Sequence, residues 1–147
     1  MISAQEALRR LREGNARFVS SERNHDALTS EHRRRKVAVA QEPFASILGC
    51  SDSRVPAETV VEQGLGDLFA IRVAGNIVAP SQIGSVEFAT ERFGTRLVVV
   101  LGHSNCGAIT ATIEELQRRH EEQSRNLRSI VDRVRPSVAA MLAINDN

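Results

Sequence analysis

The chain of 147 residues has neither Trp nor Tyr, and Phe occurs only five times. So few flat rings exclude a stacking platform for single-stranded nucleic acid. Charge of one sign is also missing: 19 basic and 18 acidic residues leave a net +1. That balance excludes the broad electrostatic footprint of a nucleic-acid or membrane-surface binder. Lysine is nearly absent, Lys36 standing beside 18 Arg, a bias we ascribe to codon usage. The one basic run, Arg33-Arg34-Arg35-Lys36, reads as a solvated loop. No apolar stretch reaches the roughly 18–20 residues of a membrane span. The opening Met-Ile-Ser-Ala-Gln-Glu-Ala-Leu lacks the apolar core of a secretory signal, so a cytoplasmic location is expected. Cysteine occurs only twice. In a reducing compartment, two thiols serve as ligands or catalytic groups more readily than as a disulfide.

What is present fits one domain, since domains most often run to about 100–150 residues. The apolar fraction of 41% and charged fraction of 25% are ordinary for a globular protein. We divide the chain into an N-terminal helical arm (1–36), an α/β core (37–124) and a C-terminal helix (125–147). Ser3 followed by Glu6 has the capping-box spacing, and a helix is predicted over 3–19. Ala7, Leu8, Leu11 and Phe18 form its apolar side. Gly14-Asn15 interrupts the pattern, so the helix is expected to end or bend there. Residues 20–36 read as a loop with a helical turn.

Three apolar runs follow, at 44–49, 67–73 and 96–102. Each precedes a segment able to form a helix, at 56–63, 82–93 and 105–123. This alternation predicts an α/β fold with a central, mostly parallel β-sheet flanked by helices. The Val-rich 97–101 run shows no polar alternation, as expected of a strand covered on both faces. A last amphipathic helix is predicted over 125–143, with Pro136 marking a kink or a break.

Two of the strands end with the same grammar: Ile47-Leu48-Gly49-Cys50 and Val100-Leu101-Gly102-His103. In an open parallel sheet, ligands bind at the carboxyl ends of the strands. If these strands are neighbours, Cys50 and His103 share one crevice, and Cys106 follows His103 by three residues. Two sulfurs and one imidazole suit zinc, and three protein ligands leave a fourth position open. Each residue also has a plainer reading. Cys50 is then a small buried residue, His103 a cap or core histidine, or the two Cys a disulfide. Beside Cys50 stand Asp52 and Arg54, two apart and able to form a bidentate pair. Asp52 is then a fourth ligand or an acceptor for a zinc-bound hydroxide, with Arg54 drawing the carboxylate away from the metal. Alternatively Asp52 caps the following helix and Arg54 is paired at the surface.

Cys50-Ser-Asp-Ser-Arg54 together with Gly102-His103-Ser-Asn-Cys106-Gly107 resembles the β-class carbonic anhydrases. The likeness extends, in order, through Gly14-Asn15-x-Arg17-Phe18, Gln41-x-Pro43, Gly66-Asp67-Leu-Phe69, Arg72-x-Ala-Gly-Asn76 and Ser85-Val-Glu87-Phe88. It implies one zinc ion per chain, held by Cys50, His103 and Cys106, with Asp52 and Arg54 as the catalytic dyad. It implies reversible hydration of CO₂ to bicarbonate and a proton by a zinc-bound hydroxide. Gln41 matches the amide that binds substrate, and Phe69 and Phe88 match positions lining an apolar channel across a dimer interface. Phe88 stands where some members have Tyr, so a hydroxyl is lacking. A homodimer or higher oligomer is therefore implied. Glycines 102 and 107 are expected to let the backbone pack tightly around the ligands. His25, His32 and His120 are candidate proton carriers, and none is assigned.

The family's chains continue past the point matching residue 147, adding a strand and closing helices, so the sheet is expected to lack that strand. An alternative function is then a shortened, non-catalytic zinc-binding member with a structural, assembly or bicarbonate-sensing role. Hydrolysis of CS₂ or COS on the same scaffold is a minor variant. The intact Asp52–Arg54 pair favours catalysis.

Overall fold

The computed structural model describes residues 1–22, 29–117 and 124–145. His25 and His120 lie outside these residues, as do 118–123 of the helix predicted over 105–123. At the centre stands β1 (Ala45–Gly49), between β2 (Leu68–Arg72) and β3 (Val98–Leu101) in a parallel sheet of order β2-β1-β3. Around the strands run α1 (Ala4–Ser20), α2 (Glu31–Val37), α3 (Ala57–Val60), α4 (Pro80–Phe93), α5 (Gly107–Gln117) and α6 (Arg125–Asn145), with a 3₁₀ turn at Ala74–Asn76. The predicted α/β sheet is the one observed.

Every residue of β1 is buried, as a central parallel strand with apolar residues on both faces should be. The expectation that β3 is covered on both faces is corrected. Val98 is 44% and Val100 60% exposed, while Val99 and Leu101 turn to the core. β3 is one of the two outer strands of the described sheet, and outer strands can leave one face open even when their composition is that of an interior strand.

The bend expected at Gly14-Asn15 is also corrected. Ser3 caps α1, accepting the Glu6 N–H at 3.1 Å, and the helix then runs unbroken to Ser20. Gly14 faces the turn after α3, where a Cβ would come within 2.8 Å of the Val61 carbonyl carbon. Asn15 Nδ2 donates to the Val60 carbonyl at 2.8 Å, and Arg17 pairs with the buried Glu62. The Gly costs about 1 kcal/mol of helix propensity, and the docked helix offsets it. Ala7 and Leu11 complete the contact, in one core with Phe44, Ile47, Ala57 and Leu68.

The helical turn expected within 20–36 is the longer helix α2, which takes in the basic run and extends to Val37. Ser30 caps it, and Arg33 pairs with Asp67, so the basic run is partly anchored. His32 is exposed on this helix. The helix predicted over 56–63 shortens to the four residues of α3. α6 passes through Pro136 without a break. Val134 and Val138, on either side of the Pro, are buried against Ile77 and α5 in a second core, which holds the helix together across it. Among the described residues no helix is long and apolar enough to cross a membrane.

Candidate metal centre

The register places Arg72, Gly49 and Leu101 side by side at the carboxyl end of the sheet. The chain leaves β1 toward β2 on one side, and β3 lies on the other, so the β1/β3 end is the point where strand order reverses. Such a point opens a crevice. Cys50 follows β1 directly, His103 lies two residues beyond β3, and Cys106 immediately precedes α5. The two Cys sulfurs and a His103 ring nitrogen all lie within 4.8 Å of one another. Both Cys are buried and free, with sulfurs 3.9 Å apart.

His103 Nδ1 lies 2.9 Å from the Ser104 carbonyl oxygen. A carbonyl only accepts, so Nδ1 carries the proton and Nε2 presents a lone pair. That Nε2 is buried and makes no hydrogen bond of ordinary geometry. A buried imidazole nitrogen left without a partner beside two thiols is what a metal ligand requires. Cys50 accepts from the Gly75 N–H, at 3.4 Å. Burial pushes its thiol up, but the adjacent His103 imidazole, the Asp52 and Gly75 backbone and Cys106 outweigh burial and bring it down to about 7. The Cys50 sulfur in turn raises His103 against the opposing effect of burial. Cys106 sits immediately before the first residue of α5.

Asp52 is held in a fork. Arg54 donates from Nε to Oδ1 at 2.8 Å and from Nη2 to Oδ2 at 2.7 Å, and its backbone N–H reaches Oδ1 at 3.0 Å. These bonds hold the Asp52 carboxyl well below the usual carboxylate range, and the same pairing raises Arg54. Of the two readings for Asp52, the geometry shows the carboxylate turned to Arg54. Arg54 Nη2 also donates to the Asn105 carbonyl at 2.9 Å, tying the loop of Cys50 to that of His103 and Cys106. Asn105 adopts φ 54, a left-handed conformation that Asn tolerates.

The expected tight packing around Gly102 and Gly107 is corrected: a Cβ on either would meet nothing within 4 Å. The close approach is at Gly75, with φ +69, where a Cβ would come 3.0 Å from that of Ala108. Gly75 and Arg72 are the site residues that sequence reasoning left without a role, although their motif contains both.

Gln41, Phe69 and Phe88 are not brought to the trio within one chain. Phe69 pairs with Ser46, four residues before Cys50, or about 13 Å along a strand. Its ring stacks with Phe88 and Phe93 at centroid distances of 6.0 and 5.8 Å, and Phe88 is 53% exposed. Gln41 lines a separate cavity of about 760 Å³ with Met1, Arg10, Phe44 and Phe93.

A family profile described as carbonic anhydrase matches residues 45–147. A carbonic anhydrase of Mycolicibacterium smegmatis is 44% identical over 132 residues, covering 90% of this chain and 63% of that protein. The chain thus spans less than two thirds of the length of this curated relative. Among solved structures, the β-carbonic anhydrase CafA of Aspergillus fumigatus superposes with a TM-score of 0.64 at 27% identity, over 95% of this chain and 62% of that one. A tetrameric β-carbonic anhydrase of Sordaria macrospora gives 0.64 at 28% identity, over 77% and 58%. The chain belongs to the carbonic anhydrase family, in its β-class.

Proposed function

We propose that this protein catalyses the zinc-dependent, reversible hydration of CO₂ to bicarbonate and a proton. The observation that carries the reading is the trio of Cys50, His103 and Cys106, its imidazole nitrogen unpartnered, beside a carboxylate fixed by Arg54. The donor set fits zinc: two soft sulfurs and one imidazole, with room for a fourth ligand. When bound, zinc supplies Lewis-acid polarisation of water.

The chain's own residues do the rest. Cys50 Sγ, His103 Nε2 and Cys106 Sγ would hold the ion, and the Ser104 carbonyl fixes the imidazole by its bond to Nδ1. Asp52 stays ionised, because Arg54 stabilises its charge. Arg54 occupies Oδ1 with two donors but Oδ2 with only one, so Oδ2 keeps a free lone pair. It therefore accepts a hydrogen bond from the attacking hydroxyl and aims that oxygen, without itself taking the proton. Arg54 engages the carboxylate, so Asp52 would not compete with the trio as a further ligand to zinc. The proton leaves to solvent.

The apolar half of the site would come from a second copy of the chain. Gln41 and the exposed Phe88, with Phe69 beneath it, lie too far from the trio to serve the same chain. In a homodimer they would line the partner's approach to the zinc, where an apolar wall suits a substrate without charge or dipole. The tetrameric Sordaria relative supports an oligomer. A reducing compartment, the cytosol, would keep both thiols available as ligands.

The test is stopped-flow CO₂ hydration by the zinc-loaded protein. The wild type accelerates the reaction above buffer. Cys106→Ser loses both zinc and rate, and Asp52→Asn keeps zinc while the rate falls about 10–100-fold. Stoichiometric zinc with no rate above buffer would refute catalysis and leave the alternative, a non-catalytic zinc-binding member.

A further inference from the structure

We propose that Arg72 is a positioning residue of the metal centre, clamping the loop that carries Cys50 and Asp52. This rests on the reading of the trio as a metal site. Arg72 is the last residue of β2 and lies beside Gly49 in the register, so its side chain starts next to the loop that leaves β1. From there its Nε donates to the Cys50 carbonyl at 3.0 Å and its Nη2 to the Asp52 carbonyl at 2.7 Å. Among the described residues it forms no ion pair; both of its hydrogen bonds go to this backbone.

The two carbonyls belong to residues i and i+2 of one loop, flanking Ser51. A planar guanidinium holds two acceptors at a fixed separation, which the point charge of a Lys does not. The Cys50–Asp52 backbone is thereby fixed at both ends. The side chains it fixes are the first sulfur of the trio and the carboxylate that Arg54 grips. The segment that follows Arg72 adds a further contact, the Gly75 N–H on the Cys50 sulfur. One strand end thus holds Cys50 by its carbonyl and by its sulfur. Arg54, bonded to the Asn105 carbonyl, continues the tie to the His103–Cys106 loop. Two guanidiniums in series join the ends of β2, β1 and β3. The first of them bonds to no sulfur or imidazole of the trio and not to the Asp52 carboxylate, and acts only through the backbone.

The experiment uses the full chain, wild type and Arg72→Ala, Arg72→Lys and Arg72→Gln. Zinc affinity is read by competition with a chromogenic chelator, and ligand geometry by the visible spectrum of the cobalt-substituted protein. Arg72→Ala weakens zinc binding about 10–100-fold, as loss of a supporting partner of a metal ligand does. Arg72→Lys restores part of the affinity. The sulfur-to-cobalt band shifts or weakens in Arg72→Ala and returns in part with Lys. Where Arg72→Ala fails to fold, Arg72→Gln, which keeps one N–H donor group, carries the comparison. Affinity within twofold of wild type with an unchanged cobalt spectrum overturns the proposal, even if the melting temperature falls, because a merely structural Arg would give that result. If the wild type binds no zinc, the metal reading fails instead, and the two failures are distinct.

Discussion

Replacing Gly14 by Ala sets two effects of opposite sign against each other. Helix propensity favours Ala by about 1 kcal/mol in the middle of α1. The contact with the turn after α3 opposes it. A Cβ at Gly14 would lie 2.8 Å from the Val61 carbonyl carbon and nearer still to its oxygen, and backbone cannot rotate away as a side chain can. α1 must lift. Lifting stretches the Asn15 bond to Val60, a neutral hydrogen bond worth about 1 kcal/mol. It also loosens Arg17 from the buried Glu62, a charged pair whose loss costs about 1.5–3 kcal/mol. Residual strain from overpacking adds about 1–3 kcal/mol. These effects overlap, and we expect a net loss of about 2 kcal/mol or more. At roughly 3 °C per kcal/mol for a chain of this size, the melting temperature falls by about 6 °C or more. Gly84, inside α4 with nothing within 4 Å of where a Cβ would stand, is the control. There propensity acts alone, and Gly84→Ala raises the melting temperature by about 2–3 °C. Thermal unfolding followed by far-UV circular dichroism reads both. A Gly14→Ala protein as stable as wild type would refute the account of α1 docking.

Two other perturbations are expected to read cleanly. Gly75→Ala forces Ala into φ +69 against Ala108 and disturbs the N–H that meets the Cys50 sulfur, so both melting temperature and zinc affinity fall. The left-handed conformation alone costs about 1–2 kcal/mol, and chelator competition checks the affinity. Glu6 is lowered from 4.5 to about 2 by its hydrogen bonds with Arg9 and then Arg10. A depressed folded pKa gives stability that is present above pH 4.5 and lost as pH falls toward 2. Urea midpoints of wild type and Glu6→Gln should therefore differ most above pH 4.5 and converge toward pH 2; a gap that stays constant across that window would contradict the Arg9–Glu6–Arg10 cluster.

The gathering of Cys50, His103 and Cys106 was legible because its signal is local. A parallel strand ends, a ligand follows, and the rule that sites collect at strand carboxyl ends needs only that β1 and β3 be neighbours. The open face of β3 was not legible. An apolar run looks the same in an interior strand and in an outer one, and the difference lies in what stands beside it. The Gly14-Asn15 error has the same origin. Along the helix, a Gly and an Asn are poor helix formers; across to Val60 and Val61, they are the residues that let a helix approach backbone. Propensity is a property of one segment, and tertiary contact overrides it.

Arg72 and Gly75 show where such reading stops. Both stood in a recognised motif, yet their partners are a sulfur and two carbonyls that lie 20 to 25 residues away in the chain. Carbonyls carry no sequence identity, so no residue pattern at 50–52 announces that an Arg is needed at 72. The motif becomes intelligible as geometry. A strand ends on an Arg that reaches sideways over the neighbouring loop, and three residues later a left-handed Gly turns its N–H back to the same loop. The spacing from Arg72 to Gly75 is the length of chain needed to touch Cys50 at two points. Sequence reasoning can find the ligands of such a centre, whereas the residues that hold the ligands still are found only by asking where each backbone carbonyl and N–H of the ligand loop is bonded.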